Sequence, residues 1–484
     1  MIRGSLIVIG LVLGAGWAWA YPSHWMFGAL PLIPAVMLTG RCPEKPIVCL
    51  GPHRWTARDF ARGFLITGDT GAGKTSSGVM RLLRELFQNV PNFGGLCIDE
   101  KGVFSASLLE LAEYFGRKDD ILVLTVRPDD ASPDWKPACR LNLVGDRRIP
   151  YSSYGRMVID MAMAMGQERD QSFFREQAEM NIAAALEALD VVGLDVTLEN
   201  IHTLFQREGE LQGLVDHLKR VESPEAGRLS AHFEELLKQP AEQRSGTLNT
   251  VVNYVRHFAQ PEIAEVFCRD STFSISDIDR GKLICFQMPQ RFMTERRYVG
   301  VFLKSLCFLH VIRRFDKPAA ERANDNLLVA CVDEAHRFVT SAKNGFGEHL
   351  VADVVREAGC AIILATQSVT SLVPPLGKDL AQTLTLNLRN RMGFTAADDP
   401  DAEDVARRIG KRKKKKTSWS YGKDGSRRNV SEEEEFIVSP HDIRKLRKHE
   451  CILIHASNGH RRVTLPPLRP DGRRQRWYRP RWFW

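Results

Sequence analysis

The sequence predicts an α/β protein: a mostly parallel sheet flanked by helices, interrupted by an all-helical block and preceded by an apolar hairpin. Short apolar runs alternate with helical stretches from about residue 60, the pattern of a parallel sheet. Between roughly residues 151 and 261 the runs stop, and apolar residues recur at helical spacing instead. A charge-free N-terminal segment supplies the hairpin.

At 484 residues, 44% hydrophobic and 26% charged, the chain has room for two to four domains with a large core. Ten cysteines show no CxxC pair, and Cys97, Cys285, Cys331 and Cys360 sit inside apolar runs. Clustered spacing is absent, so buried free thiols are expected rather than a disulfide framework or zinc site. A net charge of +8 spread over this length is a weak hint of acidic partners.

Residues 4–40 contain no Asp, Glu, Lys or Arg and divide at Pro22 into Gly4–Ala20 and Trp25–Gly40. The stretch "LIVIGLVLGAGWAWA", ending Ala18-Trp19-Ala20, also has the form of a cleavable secretory signal. Arg3 precedes the first piece; Arg41, Lys45 and Arg54 follow the second. Basic residues at both ends favour a two-pass anchor over residues 1–45 with both ends cytoplasmic.

The sheet's apolar runs come in order: "GFLIT" (63–67), "GGLCID" (94–99) and "DILVLTV" (120–126), then, after the helical block, "KLICFQM" (282–288), "LLVACVD" (327–333), "AIILATQ" (361–367) and "ECILIHA" (450–456). No solenoid-period repeat occurs.

The first run leads into "GDTGAGKT": Gly68, Asp69, Thr70, Gly71, Ala72, Gly73, Lys74 and Thr75. This is the G-x-x-x-x-G-K-[ST] loop, whose glycines let backbone amides wrap phosphates. Lys74 is expected to reach the β/γ-phosphates, and the Thr75 hydroxyl to complete a magnesium ion's shell. Such a loop needs a carboxylate on a neighbouring strand, and "LLVACVDEAHRF" offers Asp333 and Glu334. Asp333 is expected to hold Mg2+ through water and Glu334 to polarise the attacking water. Asp333 follows Lys74 by 259 positions, which matches a large helical insertion. Gln367 ends the next apolar run and is read as a γ-phosphate sensor. Arg356 lies eleven residues earlier, on an expected helix, and is read as a finger reaching a neighbouring subunit's nucleotide. The ATP that this chemistry consumes is cytoplasmic, which also argues against export of the chain.

Taken together these motifs resemble the type IV coupling proteins, membrane-anchored ATPases that bring conjugative DNA and effectors to type IV secretion channels. The order of segments carries the resemblance: hairpin, "GDTGAGKT", "IDEKGVF" (98–104), "CRLNLVG" (139–145), "DQSFFREQAEMNIAAAL", "FSISDIDRGKLICFQMP", "VDEAHRF", Arg356, "ATQS" and the closing "FIVSPHDIRKLRKHECILIHASNGHRRVTL". Asp99, Lys101 and Gly102 match the family's Asp-Pro-Lys-Gly segment, with Glu100 in place of the proline. The proline expected after Asn142 is also missing. The resemblance implies a RecA-like P-loop ATPase domain (46–150 and 262–470) with an inserted all-α domain (151–261), a hairpin anchor (1–45) and a basic-aromatic tail (471–484). It further implies a homo-hexamer at the inner membrane. ATP and Mg2+ would serve the transfer of single-stranded DNA with its relaxase, or of a protein effector, to channel components. Two alternatives stay open: a duplex-DNA pump of the FtsK/HerA kind, and a nucleotide-dependent receptor for secreted proteins without motor activity.

Two basic segments remain. "RRIGKRKKKK" (407–416) has eight basic residues in ten and reads either as a solvated face or as a phosphate contact, with "SEEEEF" (431–436) close enough to neutralise it. The C-terminal "RRQRWYRPRWFW" suits base stacking or a membrane interface equally.

Overall fold

All seven apolar runs become strands of a single nine-stranded sheet. The computed structural model describes residues 44–102, 104–165, 172–341, 345–422 and 425–475. The chain divides after Pro46, and the elements below lie in the unit from Ile47 onward. A short antiparallel ribbon, β1 (Val48–Leu50) and β2 (His53–Trp55), comes first. The sheet strands are β3 (Phe64–Thr67), β4 (Gly94–Asp99), β5 (Ile121–Leu124), β6 (Leu283–Gln287), β7 (Leu328–Val332), β8 (Cys360–Thr366) and β9 (Asn390–Gly393). After a separate hairpin, β10 (Lys411–Gly422) and β11 (Gly425–Phe436), the sheet closes with β12 (Glu450–His455) and β13 (Gly459–Thr464).

The spatial order is β13-β12-β9-β3-β8-β7-β4-β6-β5. From β9 to β5 every pairing is parallel, and β12 adds antiparallel to β9. Parallel central strands are covered on both faces and read as continuous apolar runs, as β3, β4, β7 and β8 do. Alternation sorts their side chains. Phe64, Ile66, Cys97, Cys331 and Ile363 pack on one face against Leu82, Leu83 and Leu86 of α1 (Met80–Asn89) and Leu108 of α2 (Phe104–Tyr114). Leu65, Leu96, Ile98, Val332 and Leu364 point to the other face.

That second face shares its core with the helices between β5 and β6. These are α3 (Tyr151–Ala164), α4 (Ser172–Val191), α5 (Leu198–Gln206), α6 (Glu208–Leu218), α7 (Pro224–Lys238), α8 (Ala241–Val255) and α9 (Pro261–Phe267). Met157 of α3 and Ile182 and Leu186 of α4 belong to the same apolar cluster as Leu65 and Leu364. Helix α10 (Met293–Ile312) is buried along most of its length there, and its buried charges Arg296 and Lys304 each meet a carboxylate.

Two strands escape a reading by hydropathy. β9 holds Asn390 and Arg391, both buried, because each has a tertiary partner: Asn390 accepts from Trp55 Nε1 at 2.9 Å, and Arg391 pairs with Asp404. β13, "GHRRVT", is a charged edge strand, a form that discourages edge-to-edge pairing.

The basic run 407–416 is largely neutralised. Arg407 and Arg408 meet Glu403 and Asp404 on their own helix, Asp399–Ile409. In the hairpin Lys411, Lys413, Lys414 and Lys416 each reach a glutamate of Glu432–Glu435. The register sets Lys414 opposite Glu433, so these are same-face diagonal pairs on both sides of the ribbon. All are exposed, and each contributes at most about 1 kcal/mol. Their effect is to reduce the field that a phosphate backbone would meet, with Arg412 and Lys415 outside these pairs.

The nine described cysteines outside the N-terminal segment are free, and most are buried, as their place in apolar runs predicts. Among the described residues no helix is long and apolar enough to cross a membrane. The expected two-helix anchor falls on residues 1–45, of which 1–43 lie outside the described residues, as does 476–484 of the expected tail.

Behind the sheet, α11 (Glu348–Glu357), α12 (Lys378–Asn387) and α13 (Asp399–Ile409) complete the layer. Lys304 of α10 and Glu348 of α11 form an ion pair with each side chain only 1% exposed. Lys304 also donates to Phe338 O, and Thr340 N donates to Glu348 at 3.2 Å, so the pair pins the segment that follows β7. Lys304→Ala is expected to cost about 3–5 kcal/mol in denaturant unfolding, because it strands a buried carboxylate. Lys304→Met with Glu348→Leu should recover most of that loss.

Candidate nucleotide site

The C-terminal ends of β3, β8, β7 and β4 meet at one edge of the sheet, because all four strands run the same way. The loop 68–75 leaves β3 there. Gly68 (φ 151°), Gly71 (φ 79°) and Gly73 (φ 112°) adopt backbone that other residues rarely take. The loop is tied to both neighbours: Gly68 N donates to Gln367 O at 3.1 Å, and Asp69 N to Thr395 O at 2.7 Å. Lys74 through Val79 wind as a π-helical turn before α1 begins, a rare form that recurs at functional sites.

Lys74 Nζ donates to Gly68 O at 2.8 Å and Asp69 O at 3.2 Å, folded against the loop. Burial pushes its pKa down, with Glu334 and Asp333 opposing. Thr75 Oγ1 donates to Asp333 Oδ2 at 3.2 Å across 258 positions. Asp333 ends β7, which is not the immediate neighbour of β3: β8 lies between them. The expected neighbouring carboxylate is thus one strand further away, and the intervening strand is the one that delivers Gln367. The loop bridges the gap by carrying Thr75 over the end of β8.

Glu334 sits at φ 48°, left-handed backbone for a side-chain-bearing residue. Burial pushes its carboxyl up, but Lys101, at 2.6 Å from Oε1, and Lys74 outweigh burial and leave it below its ordinary value. Asp333 goes the other way, raised by burial and by the Glu334 charge. A buried acid with a raised pKa beside a threonine hydroxyl fits a divalent cation, which supplies the missing positive charge. The loop amides and Lys74 fit the phosphates of a nucleotide.

Arg356 is not brought to this edge. It lies on the last turn of α11, before β8 begins at Cys360, whereas Gln367 follows the far end of that strand. Seven residues of strand separate the two ends by roughly 23 Å at about 3.3 Å per residue. Arg356 instead shares a concavity of about 560 Å³ with Arg58, Arg62 and Arg389.

Sequence reading missed His449. Its backbone N donates to Ala72 O at 3.0 Å, and its Nδ1 lies 2.7 Å from Ser77 Oγ. A Cβ on Gly73 would stand 2.6 Å from that nitrogen, so Gly73 is required by close approach as well as by φ. Nothing local marks His449, which lies 376 positions after Gly73. Glu100 was also unassigned. It is buried, and its Oε1 accepts from Arg296 at 2.9 Å and pairs with Arg337 at 2.8 Å.

His449→Ala is expected to speed amide hydrogen exchange of residues 71–77 while leaving the distant strand β5 unchanged, because it removes the ring's contact with Ser77, the side-chain half of the brace.

Comparison with known proteins agrees with this architecture. The conjugative coupling protein TrwBdeltaN70, in a trigonal form with sulphate, is 17% identical with a TM-score of 0.63, covering 90% of this chain and 93% of that one. TrwB in complex with ADP and Mg2+ is 14% identical with a TM-score of 0.59, covering 88% and 89%. TrwB with a non-hydrolysable ATP analogue gives 14%, 0.60, 88% and 90%. At such identity the likeness shows the fold. No curated protein matches the sequence. The model of the family described as "Type IV secretory system Conjugative DNA transfer" matches residues 157–464, well over half of the chain, a span that includes Asp333, Glu334, Arg356 and Gln367. The chain therefore belongs to the type IV secretory system conjugative DNA-transfer family, the coupling proteins that its motifs resemble.

Proposed function

We propose that the protein is an ATPase that couples a substrate, single-stranded DNA with its relaxase or a protein effector, to a type IV secretion channel. The observation that carries this is the Thr75–Asp333 contact: phosphate loop and acidic strand end, far apart in sequence, meet in the geometry of a nucleotide site. In this reading residues 68–75 hold the phosphates of ATP, and Thr75 and Asp333 hold Mg2+. That TrwB structures contain ADP with Mg2+ and ATP analogues supports the same ligands here.

The bound ion would polarise the transferred phosphoryl group. Lys74 leaves its loop carbonyls to neutralise phosphate charge. Glu334 orients the attacking water, and Gln367, tied to Gly68 through its backbone, reports on the γ-phosphate. Arg356, remote from its own loop, acts on the nucleotide of an adjacent copy in a homo-hexamer. The domain plan supports this use: an anchor over residues 1–45 holds the ring at the inner membrane, a RecA-like motor spans 46–150 and 262–470, and the all-α insertion 151–261 faces substrates.

Full-length protein in detergent should hydrolyse ATP, faster with single-stranded than with duplex DNA at fixed salt. Lys74→Ala should lower turnover by at least about a hundredfold. Preference for duplex would favour a duplex pump, and substrate transfer surviving Lys74→Ala would leave only a receptor.

A further inference from the structure

We propose that Lys101 is a positioning residue for Glu334, clamping its carboxylate by one oxygen and leaving the other open to a water. The inference rests on the ATPase reading above. Lys101 Nζ holds Glu334 Oε1 at 2.6 Å, while Glu334 Oε2 is buried without a hydrogen-bond partner among the described residues. The His336 ring lies with Nδ1 3.7 Å from Oε2, outside hydrogen-bond range. A carboxylate fixed at one end and open at the other is arranged to orient a nucleophile.

The clamp stands on a built turn. Asp99 is fully buried, and its carboxylate accepts four hydrogen bonds: from Lys101 N at 3.0 Å, Gly102 N at 2.9 Å, Ser105 N at 2.8 Å and Ser105 Oγ at 3.1 Å. Gly102, at φ 74°, lets the chain reverse into α2. This occupies the Asp99 carboxylate with the turn and gives it the task of aiming Lys101. The Lys101 side chain is 54% exposed and that of Glu334 only 4%, so the lysine reaches in from solvent to a buried acid.

Glu100 protects the arrangement. Arg337 lies three residues beyond Glu334 and would compete for its carboxylate, but the Glu100 carboxylate holds it at 2.8 Å. Arg296, fully buried, fixes Glu100 from the other side. Glu100 therefore holds both arginines, and Lys101 is left to Glu334.

The test measures kcat, KM and equilibrium affinity for a fluorescent ATP analogue on the full chain. Lys101→Met should lower kcat about tenfold or more while KM and affinity shift less than about twofold, because it loosens the water-orienting acid and no phosphate contact. Lys101→Arg should restore part of kcat. Lys101→Met in a Glu334→Gln background should add little, since both act through one carboxylate. Unchanged kcat in folded Lys101→Met, or affinity falling in step with kcat, overturns the proposal. Lys101→Gln, which keeps a polar tip, replaces Met if that variant unfolds. Lys74→Ala run in parallel separates the failures: turnover that survives it removes the ATPase reading itself, whereas turnover lost there but kept in Lys101→Met removes only the clamp.

Discussion

The parallel direction of β3, β8, β7 and β4 is the constraint on which the rest depends. It brings the loop after β3, Gln367 after β8, Asp333 and Glu334 after β7 and the Asp99–Lys101 turn after β4 to one edge. No two of these groups need be close in sequence, and the Thr75–Asp333 bond spans 258 positions. The same direction sends Arg356 to the opposite edge, since it precedes β8 rather than following it. One geometric fact thus assembles most of the site and excludes one member from it.

A second theme is how charges survive burial. Glu334 is matched by Lys101, Glu100 by Arg296 and Arg337, Glu348 by Lys304 and Arg391 by Asp404. All but Arg391–Asp404, which links successive elements, join elements distant in sequence. Breaking one partner costs more than the pair contributes, because the survivor is left without solvent. Asp333 departs from this pattern: among the described residues it has a hydroxyl and a backbone amide but no ion pair of its own. That deficit is what a bound divalent ion would fill.

The exposed charges obey a different economy. Between Lys411–Lys416 and Glu432–Glu435 the ribbon sets like against unlike on both faces, exposed to water. Six of the eight basic residues that stand out in sequence meet a carboxylate in space, which weakens the argument for a nucleic-acid contact there.

The sequence by itself determined seven of the nine sheet strands, the phosphate loop and the acidic strand end, because each is a local signal: an apolar run, a glycine spacing, two acids after six apolar residues. It also determined the family through the order of those signals. The tertiary structure alone decided which groups meet. It placed β8 between β3 and β7, braced the loop with His449, gave Lys101 to Glu334 and Glu100 to two arginines, and buried the polar strand β9. These depend on contacts between residues tens to hundreds of positions apart, and hydropathy and spacing do not record such partners. A buried polar residue looks, in sequence, like an exposed one until its partner is known.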